Sequence, residues 1–418
     1  MAPLCTLVLA RVVLQAQAAV VNLGPDTAFR GTVIGQVGDA RTAAGVAGAV
    51  VSLPQWGLSA ITDSAGRFAI SAVPSGRYAV RVERAGYVAR LVSVLTKGGD
   101  TVTLRGIALS PAAPPRAPCQ QLSPAQPAGA LGLTKPYAFS RPRAVPPGAL
   151  VQLYTWTTPG GRDHPVAAEG SFAGQPVALS RTSIGRFVGL GAVPLDSTRE
   201  LPYRVTVTYS SGISRSVTVA IRPAPKTIAA RSTERLAVAP TFGHAPEPIA
   251  ANRIAAENQL ARSIAVQSLG TAPLWTKPFV KPRPGAVTSG FGMGREFNGA
   301  VTGRHLGTDF RGAVGDPVIA ANRGIVALVA DFFLAGTVIY IDHGGGLVSG
   351  YFHLSRTAVA VGDTVSRGQV IGAVGRSGRV TGPHLHWSMR LGAVPVDPMS
   401  VFAIAPLPAG PPIAGCQR

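Results

Sequence analysis

The sequence predicts a mainly β protein with two N-terminal β-sandwich domains, a short helical connector and a C-terminal β-rich domain. Its 418 residues allow about three domains at roughly 150 residues each, and 46% hydrophobic residues are enough for more than one core. The 50 glycines and 36 prolines make about a fifth of the chain, below the share typical of disorder but enough to supply many turns. Short β-branched runs lie between these turns, and a single segment has the features of a helix.

The first 18 residues, MAPLCTLVLARVVLQAQA, are predicted to be a signal peptide. The stretch is apolar apart from Arg11 and ends in A-Q-A, a pattern suited to signal-peptidase cleavage, although a basic n-region is absent. Cleavage would remove Cys5 and leave Cys119 and Cys416, which could pair in an oxidising compartment or stay as two thiols. We therefore expect an exported protein of the periplasm, the cell envelope or the medium, without a transmembrane segment.

Residues 28–110 are predicted to form the first β-sandwich, because turn signals separate short strands at a spacing of roughly 8–12 residues. Within it, TDSAGRFAISAVPSGRYAVRVERAGY resembles the carboxypeptidase regulatory-like domains, transthyretin-like sandwiches that are often attached to extracellular proteins. This resemblance implies a structural domain, since the stretch contains no catalytic grouping.

Residues 119–225 are predicted to form a second, immunoglobulin-like sandwich. The proline-rich stretches SPAAPPRAPC and RPAPK mark its limits. Between them, LPYRVTVTYSSG and SRSVTVAIRP alternate as strands do, with a hairpin turn at Ser211-Gly212. His164 lies in a polar loop and is expected to be solvated.

Residues 226–284 are predicted to be a connector that contains one helix, over 248–269. Pro248 suits the first helical turn, and Gly270 follows the last. His244, just before the helix in a proline-rich turn, has no predicted role. The apolar stripe expected to pack on a neighbouring element consists of Ile249, Ala256, Leu260 and Ile264.

Residues 285–402 contain the side chains that could bind a metal or take part in catalysis. Strand and turn character dominates there, so side chains at i and i+2 or i+4 share a face. This spacing brings together His384 and His386, and also His305 and Asp309. Two imidazoles and one carboxylate are a set of protein ligands found in catalytic zinc sites that keep an open position. The region holds five of the seven histidines: His305, His343, His353, His384 and His386.

Other patterns in this domain favour structure over chemistry. The H-E-x-x-H motif is absent and Glu296 is the only glutamate between 285 and 400, which predicts a histidine as general base. His343 precedes a glycine turn and is expected to be structural. A serine hydrolase is not indicated, because the G-x-S-x-G nucleophile elbow is absent. The G-x-G-x-G run at 290–294 predicts a turn rather than a dinucleotide site, and Asn298 has no assigned role.

The same region resembles the lysostaphin-type zinc endopeptidases, which cut peptidoglycan peptides. The resemblance covers residues 290–398 and rests on SGFGMGREFNG, HLGTDFRGAVGDPVIAANRGIV, VIYIDHGGGLVSGYFHLS, VGDTVSRGQVIGAVG and TGPHLHW, followed by VDP. It implies one zinc ion held by His305, Asp309 and His386, with His353 and His384 as catalytic histidines. The middle domain more weakly resembles the immunoglobulin-like module that precedes this peptidase in many envelope enzymes.

The resemblance implies a zinc-dependent endopeptidase that hydrolyses peptide bonds in bacterial peptidoglycan, in cross-links or stem peptides. A metal-activated water would attack the bond with histidine acid/base assistance. The alternative is a non-catalytic cell-wall-binding activator of other hydrolases, because some relatives of this domain have lost metal ligands. A structural or adhesive envelope protein is the third class. The sequence leaves open which bond is cut, which histidine is the base, and whether the sandwiches position or occlude the enzyme.

The charge of the chain predicts an anionic partner. Lys and Arg number 39 against 19 Asp and Glu, a formal net charge of +20. The arginines are scattered rather than gathered into a basic arm, which disfavours nucleic acid. We therefore expect peptidoglycan and anionic cell-envelope polymers as partners and no nucleic acid, with the charge retaining the protein on its polymer.

Overall fold

The computed structural model describes residues 30–53, 58–74, 76–96, 99–111, 136–157, 164–182, 186–225, 232–299 and 301–407. Over these residues the protein is mainly β, with one α-helix, which confirms the predicted fold class. The predicted signal peptide 1–18 and the cysteines Cys5, Cys119 and Cys416 lie outside the described residues. None of the helices in the described ranges is both long and apolar enough to cross a bilayer.

Two sheets that share one core form the first sandwich. β1 pairs with β4 and β7, and the other sheet has the order β3-β2-β5-β6. Val33, Val51 and Val80 are fully buried between the two sheets. The strands are β1 (Arg30–Asp39), β2 (Val50–Leu53), β3 (Leu58–Ile61), β4 (Arg67–Pro74), β5 (Gly76–Glu83), β6 (Arg90–Thr96) and β7 (Thr101–Leu109).

The second sandwich has sheets of four and five strands, in the orders β13-β14-β10-β8 and β12-β11-β15-β16-β9. The predicted Ser211-Gly212 turn joins β15 to β16, and Gly212 has the positive φ (83°) that such a turn favours. The strands are β8 (Tyr137–Arg141), β9 (Ala144–Val145), β10 (Leu150–Trp156), β11 (Pro165–Phe172), β12 (Gln175–Val177), β13 (Ser180–Arg181), β14 (Phe187–Ala192), β15 (Leu201–Tyr209) and β16 (Ser214–Pro223).

The connector contains the predicted helix, α1 (Pro248–Ser268), and also a strand that the sequence did not predict, β17 (Thr233–Leu236). A short 3-10 helix, Pro240–Phe242, lies between them. The predicted apolar stripe is partly wrong, because the buried residues of α1 begin only at Glu257. Ile249 is 53% exposed, whereas Leu260 and Ile264 are buried as predicted. The buried residues of α1 are Glu257, Leu260, Ala261, Ile264, Ala265 and Ser268.

The C-terminal sheet has ten strands, and seven of them run in the order β18-β21-β28-β25-β24-β23-β26. A smaller sheet, β17-β19-β20, carries the connector strand at its edge. A 3-10 helix, Pro398–Ala403, follows the last strand. The strands are β18 (Val287–Ser289), β19 (Gly294–Phe297), β20 (Val301–Arg304), β21 (Gly307–Arg311), β22 (Pro317–Ile319), β23 (Gly324–Phe332), β24 (Gly336–Asp342), β25 (Leu347–Thr357), β26 (Thr364–Val365), β27 (Val370–Val374), β28 (His384–Leu391) and β29 (Val394–Val396).

Both sandwiches pack against the C-terminal part of the chain. Leu150 and Leu190 of the second sandwich belong to the same buried cluster as the interior of the ten-stranded sheet. The side chain of Gln152 donates to the carbonyl of Ala405 (2.8 Å) and accepts from its N–H (3.1 Å). On the first sandwich, Leu91 packs against the cluster formed by α1 and the sheet. The sandwiches therefore share hydrophobic and hydrogen-bonded contacts with the unit that carries the predicted site.

Candidate metal centre

Two side chains from paired strands and one from the residues just before β21 meet at one point. The ligand atoms of His305, Asp309 and His386 all lie within 4.8 Å of one another, and all three side chains are buried. Asp309 Oδ1 is 3.0 Å from His305 Nε2 and 2.8 Å from His386 Nδ1. The structure therefore brings together the residues that the sequence predicted as metal ligands.

Strand register explains why these side chains converge. β21 and β28 are antiparallel, and Asp309 lies opposite His386 in the ladder. His305 precedes β21, four residues before Asp309, so both side chains reach the same face. Gly307 lies between them, and a Cβ there would come within 2.4 Å of His386 Nε2. The glycine leaves the space that the imidazole of His386 occupies.

Hydrogen bonds aim the nitrogen atoms of the cluster. His305 Nδ1 lies 2.8 Å from the carbonyl oxygen of Gly290. Because a carbonyl can only accept, Nδ1 carries the proton and Nε2 directs its lone pair at the centre. The ring of Phe352 stacks on His386, with centroids 5.0 Å apart and planes 12° apart, and fixes the orientation of that imidazole.

The electrostatics of the cluster favour a neutral His386 beside a charged Asp309. Burial lowers the pKa of His386 to about 4, so its ring is neutral near pH 7. Burial by itself raises the pKa of Asp309, but the adjacent side chains of His305 and His386 outweigh it and hold this pKa well below its usual value. Neutral imidazole and ionised carboxylate are the states in which these groups bind metal.

His353 lies beside the cluster in an unusual backbone conformation. Its φ is +61°, in the left-handed region that β-branched and bulky residues rarely occupy. Tyr351 and Leu354 both reach the core although they are three positions apart, because the irregularity of β25 around His353 breaks the two-residue alternation. The backbone N–H of His353 donates to the carbonyl of Ala335 (2.9 Å), which helps to hold this conformation.

His353 and His384 face each other across the candidate centre. Their ring centroids are 4.9 Å apart, and His384 Nε2 is 3.7 Å from Asp309 Oδ1. His353 Nδ1 donates to the carbonyl of Ser377 (2.8 Å), and His384 Nδ1 to that of Gly382 (2.9 Å). Both rings are thereby left with Nε2 as the basic nitrogen. Burial, together with the nearby rings of His384 and His386, lowers the pKa of His353 well below its usual value.

Sequence reasoning missed two charged residues beside Asp309. Arg295 on β19 donates to Asp309 Oδ2, the oxygen that does not face the histidines. Glu234 on β17 lies 3.4 Å from Arg295 and accepts from Ser289 Oγ (2.9 Å). Glu234 escaped notice because it lies outside the 285–400 window, and only the pairing of β17 with β19 brings it near. Glu296 is therefore not the only glutamate near the centre.

An open cleft of about 300 Å³ adjoins the centre. Asp309 and His384 line it on one side, and the connector strand contributes Glu234 to another wall. Arg311 and Arg379 also line it, and the sequence assigned no role to either residue. The cleft is large enough to admit part of a peptide chain.

The remaining histidines lie away from the cluster. His343 is fully buried between the carbonyl of Arg323 and Ser349 Oγ, each 2.8 Å away, as a structural residue would be. His164 and His244 are exposed. The side chain of Asn298 accepts from the N–H of Val238 (3.0 Å) and donates to its carbonyl (3.1 Å). These bonds tie the connector to the turn after β19.

The donor set fits zinc. Two imidazole nitrogens and one carboxylate oxygen are common ligands of catalytic zinc, and a three-ligand set leaves a position open. The bond from Arg295 occupies Asp309 Oδ2 and leaves Oδ1 directed at the histidines. Three such ligands beside an open cleft define a candidate catalytic metal centre.

Comparison with protein-family models matches residues 303–398 to Peptidase family M23 and residues 32–110 to the Carboxypeptidase regulatory-like domain. The chain therefore carries an M23 peptidase domain and an N-terminal carboxypeptidase regulatory-like domain. Both resemblances predicted from the sequence are confirmed.

Several known proteins are similar to parts of this chain. The peptidoglycan DD-endopeptidase ShyA of Vibrio cholerae serotype O1 is 43% identical over 95 residues, which are 23% of this chain and 22% of that protein. A crystal structure described as a peptidase M23 from Pseudomonas aeruginosa is 26% identical, covers 62% of this chain and 95% of that chain, and has a TM-score of 0.44. The catalytic domain of lysostaphin from Staphylococcus simulans is 29% identical, covers 33% and 96%, and has a TM-score of 0.23.

Proposed function

We propose that this protein is a zinc-dependent endopeptidase that hydrolyses peptide bonds in bacterial peptidoglycan. The observation that carries the proposal is the convergence of His305, Asp309 and His386 at one point, with His353 and His384 beside them. The M23 domain supports a peptidase, and the relative named as a peptidoglycan DD-endopeptidase supports the choice of polymer.

His305, Asp309 and His386 would hold one zinc ion. When bound, zinc supplies a Lewis acid that polarises the scissile carbonyl and lowers the pKa of water. The protein's part is to position the three ligands and to keep the carboxylate ionised. Gly307 leaves the space that the ring of His386 occupies, and Arg295 binds the outer oxygen of Asp309.

His353 and His384 would move the protons. Each ring donates through Nδ1 to a backbone carbonyl, so Nε2 can accept a proton from the attacking water and return it to the departing amine. When protonated, the second ring can donate to the oxyanion of the tetrahedral intermediate. Both rings donate through Nδ1 and leave Nε2 available, so we assign the two tasks to the pair together and neither task to a particular ring.

The rival proposal is a non-catalytic activator of other cell-wall hydrolases. Such a protein has no need of a complete ligand set or of two aimed histidines. All five side chains are present here and face one centre, which favours an enzyme. We propose an exported protein that works in the periplasm, the envelope or the medium, where its +20 charge would hold it on anionic wall polymers.

Digestion of purified peptidoglycan tests the proposal. We expect the full chain to release new free amines from purified sacculi, a chelator to stop the release, and added zinc to restore it. Mass spectrometry of the soluble products identifies the bond that is cut. Sacculi that stay intact at every metal concentration would refute the enzyme and leave the activator.

A further inference from the structure

The strand register that builds the metal centre also places a cation one step further along the cleft. Arg311 follows Asp309 by two residues on β21, and it lies opposite His384, just as Asp309 lies opposite His386. Residues two apart share a face and are about 7 Å apart along the strand. Arg311 is exposed and lines the cleft together with His384.

A second guanidinium, that of Arg379, also lines the cleft. Arg379 lies five residues before His384, and its guanidinium carbon lies 3.8 Å from the centroid of the Phe297 ring. Phe297 is buried, so the stack limits where the guanidinium can move. The N–H of Arg379 donates to the carbonyl of Leu334 (2.8 Å), which anchors the backbone of this residue.

The protein does not neutralise these two cations itself. Among the described residues, neither Arg311 nor Arg379 forms a salt bridge with an acidic side chain. The carboxylates that line the cleft have other partners: Glu234 contacts Ser289 and Arg295, and Asp309 contacts Arg295 and the histidines. Burial and the nearby Arg295 lower the pKa of Arg379 to about 10, which still leaves it charged near pH 7. A partly desolvated, unpaired guanidinium is stabilised by an anion that enters the cleft.

We propose that Arg311 and Arg379 form a subsite for a carboxylate of the peptide substrate, next to the scissile bond. This inference rests on the proposed peptidase function. In a cross-link through diaminopimelate, the carbon that bears the scissile nitrogen also bears a carboxylate. That carboxylate would lie about one residue step from the metal centre, and the guanidinium groups of Arg311 and Arg379 would bind it there. A cross-link through lysine has no carboxylate at this carbon, so the subsite selects between wall chemistries.

Two matched substrates test the subsite. They are muropeptide dimers joined by a D-alanyl–diaminopimelate bond, with the carboxylate beside the scissile nitrogen either free or converted to a carboxamide. We expect the zinc-loaded full chain to favour the free acid at least tenfold in kcat/KM. The reason is that a carboxylate forms stronger hydrogen bonds with a guanidinium than a neutral carboxamide does. Arg311→Gln and Arg379→Gln should each move this ratio towards one.

Arg376→Gln is the matched control, because Arg376 is exposed, lies three residues from Arg379 and does not line the cleft. The control should keep the wild-type ratio, and zinc content should stay at one equivalent in all variants. Equal hydrolysis of both dimers by the wild type would overturn the subsite and leave the peptidase intact. The subsite would also be overturned if Arg311→Gln and Arg379→Gln both kept the wild-type preference for the free acid. Failure to cleave either dimer by a chain that still digests sacculi would overturn the subsite, whereas failure on both dimers and on sacculi would refute the proposed function itself.

Discussion

At the scale of the residue, the proposed metal ligands and the proposed proton-transfer histidines are held by different contacts. Asp309 Oδ1 meets the imidazoles of His305 and His386, while His353 is anchored by the carbonyls of Ala335 and Ser377. The two sets are adjacent, but they depend on different contacts. Substitutions in each set should therefore have different consequences.

His386→Ala should abolish zinc binding, because it removes one of three ligands. His353→Ala should keep zinc at one equivalent yet slow hydrolysis about 100-fold or more, since a positioned proton-transfer group contributes on that order. Elemental analysis of the purified full chain gives the zinc content, and amine release from sacculi gives the rate.

His164→Ala is the control for both, because His164 is an exposed residue of the second sandwich. It should change neither zinc content nor rate. Loss of zinc in His353→Ala would show that the roles are assigned wrongly.

The pairs His305 with Asp309 and His384 with His386 were predictable because their spacing is a local property of the chain, whereas His353 followed from the family resemblance. The sequence did not predict Arg295 as the partner of Asp309, nor Glu234 as the partner of Arg295. These contacts depend on which strands pair, and a one-dimensional pattern does not encode pairing. The positive φ of His353 was equally invisible, because no glycine marks that position.

At the scale of the element, helix α1 does more than join domains. Glu257 is only 3% exposed, accepts from Arg253 Nε (2.7 Å), and accepts the N–H of Phe333 (2.9 Å). Phe333 begins the loop whose carbonyls at Leu334 and Ala335 bond the backbones of Arg379 and His353. The connector helix is thereby linked through one turn to both the subsite and the catalytic histidine.

Glu257→Ala should destabilise the fold by about 1–3 kcal/mol, because it leaves the N–H of Phe333 without its acceptor and removes the ion pair with Arg253. It should also lower the rate of hydrolysis at saturating zinc, since the loop before β24 loses its anchor. Glu257→Gln keeps one acceptor and should fall between the wild type and the alanine variant. Chemical denaturation and amine release measure the two effects.

Glu247→Ala is the matched control, because Glu247 is the exposed N-cap of the same helix and its side chain makes no capping bond. It should behave as the wild type. If Glu257→Ala matches this control in stability and rate, the helix does not support the site.

The helix was predictable at its ends, since Pro248 and the glycine after it mark them. Its buried face was not, because the alanine-rich middle gives little contrast and the true face includes Glu257 and Ser268. Strand β17 was missed for a related reason. It has four residues, two of them charged, and it exists because β19 offers an edge to pair with.

At the scale of the whole molecule, the sandwiches pack against the C-terminal sheet and leave the cleft open. The described residues that line the cleft lie between 234 and 384, so they come from the connector and the C-terminal β-rich domain. The sequence left open whether the sandwiches position or occlude the enzyme. This arrangement favours positioning, and it gives the connector strand the place beside the centre.

Zinc titration of the apoprotein tests the central claim most directly. Zinc is removed from the full chain with a chelator and returned in steps, while hydrolysis of a cross-linked muropeptide dimer is followed. We expect the rate to rise in proportion to added zinc and to level off at one equivalent per chain, with no recovery in His386→Ala. Hydrolysis that persists without metal, or that never appears at any zinc concentration, would contradict a single zinc centre built from His305, Asp309 and His386.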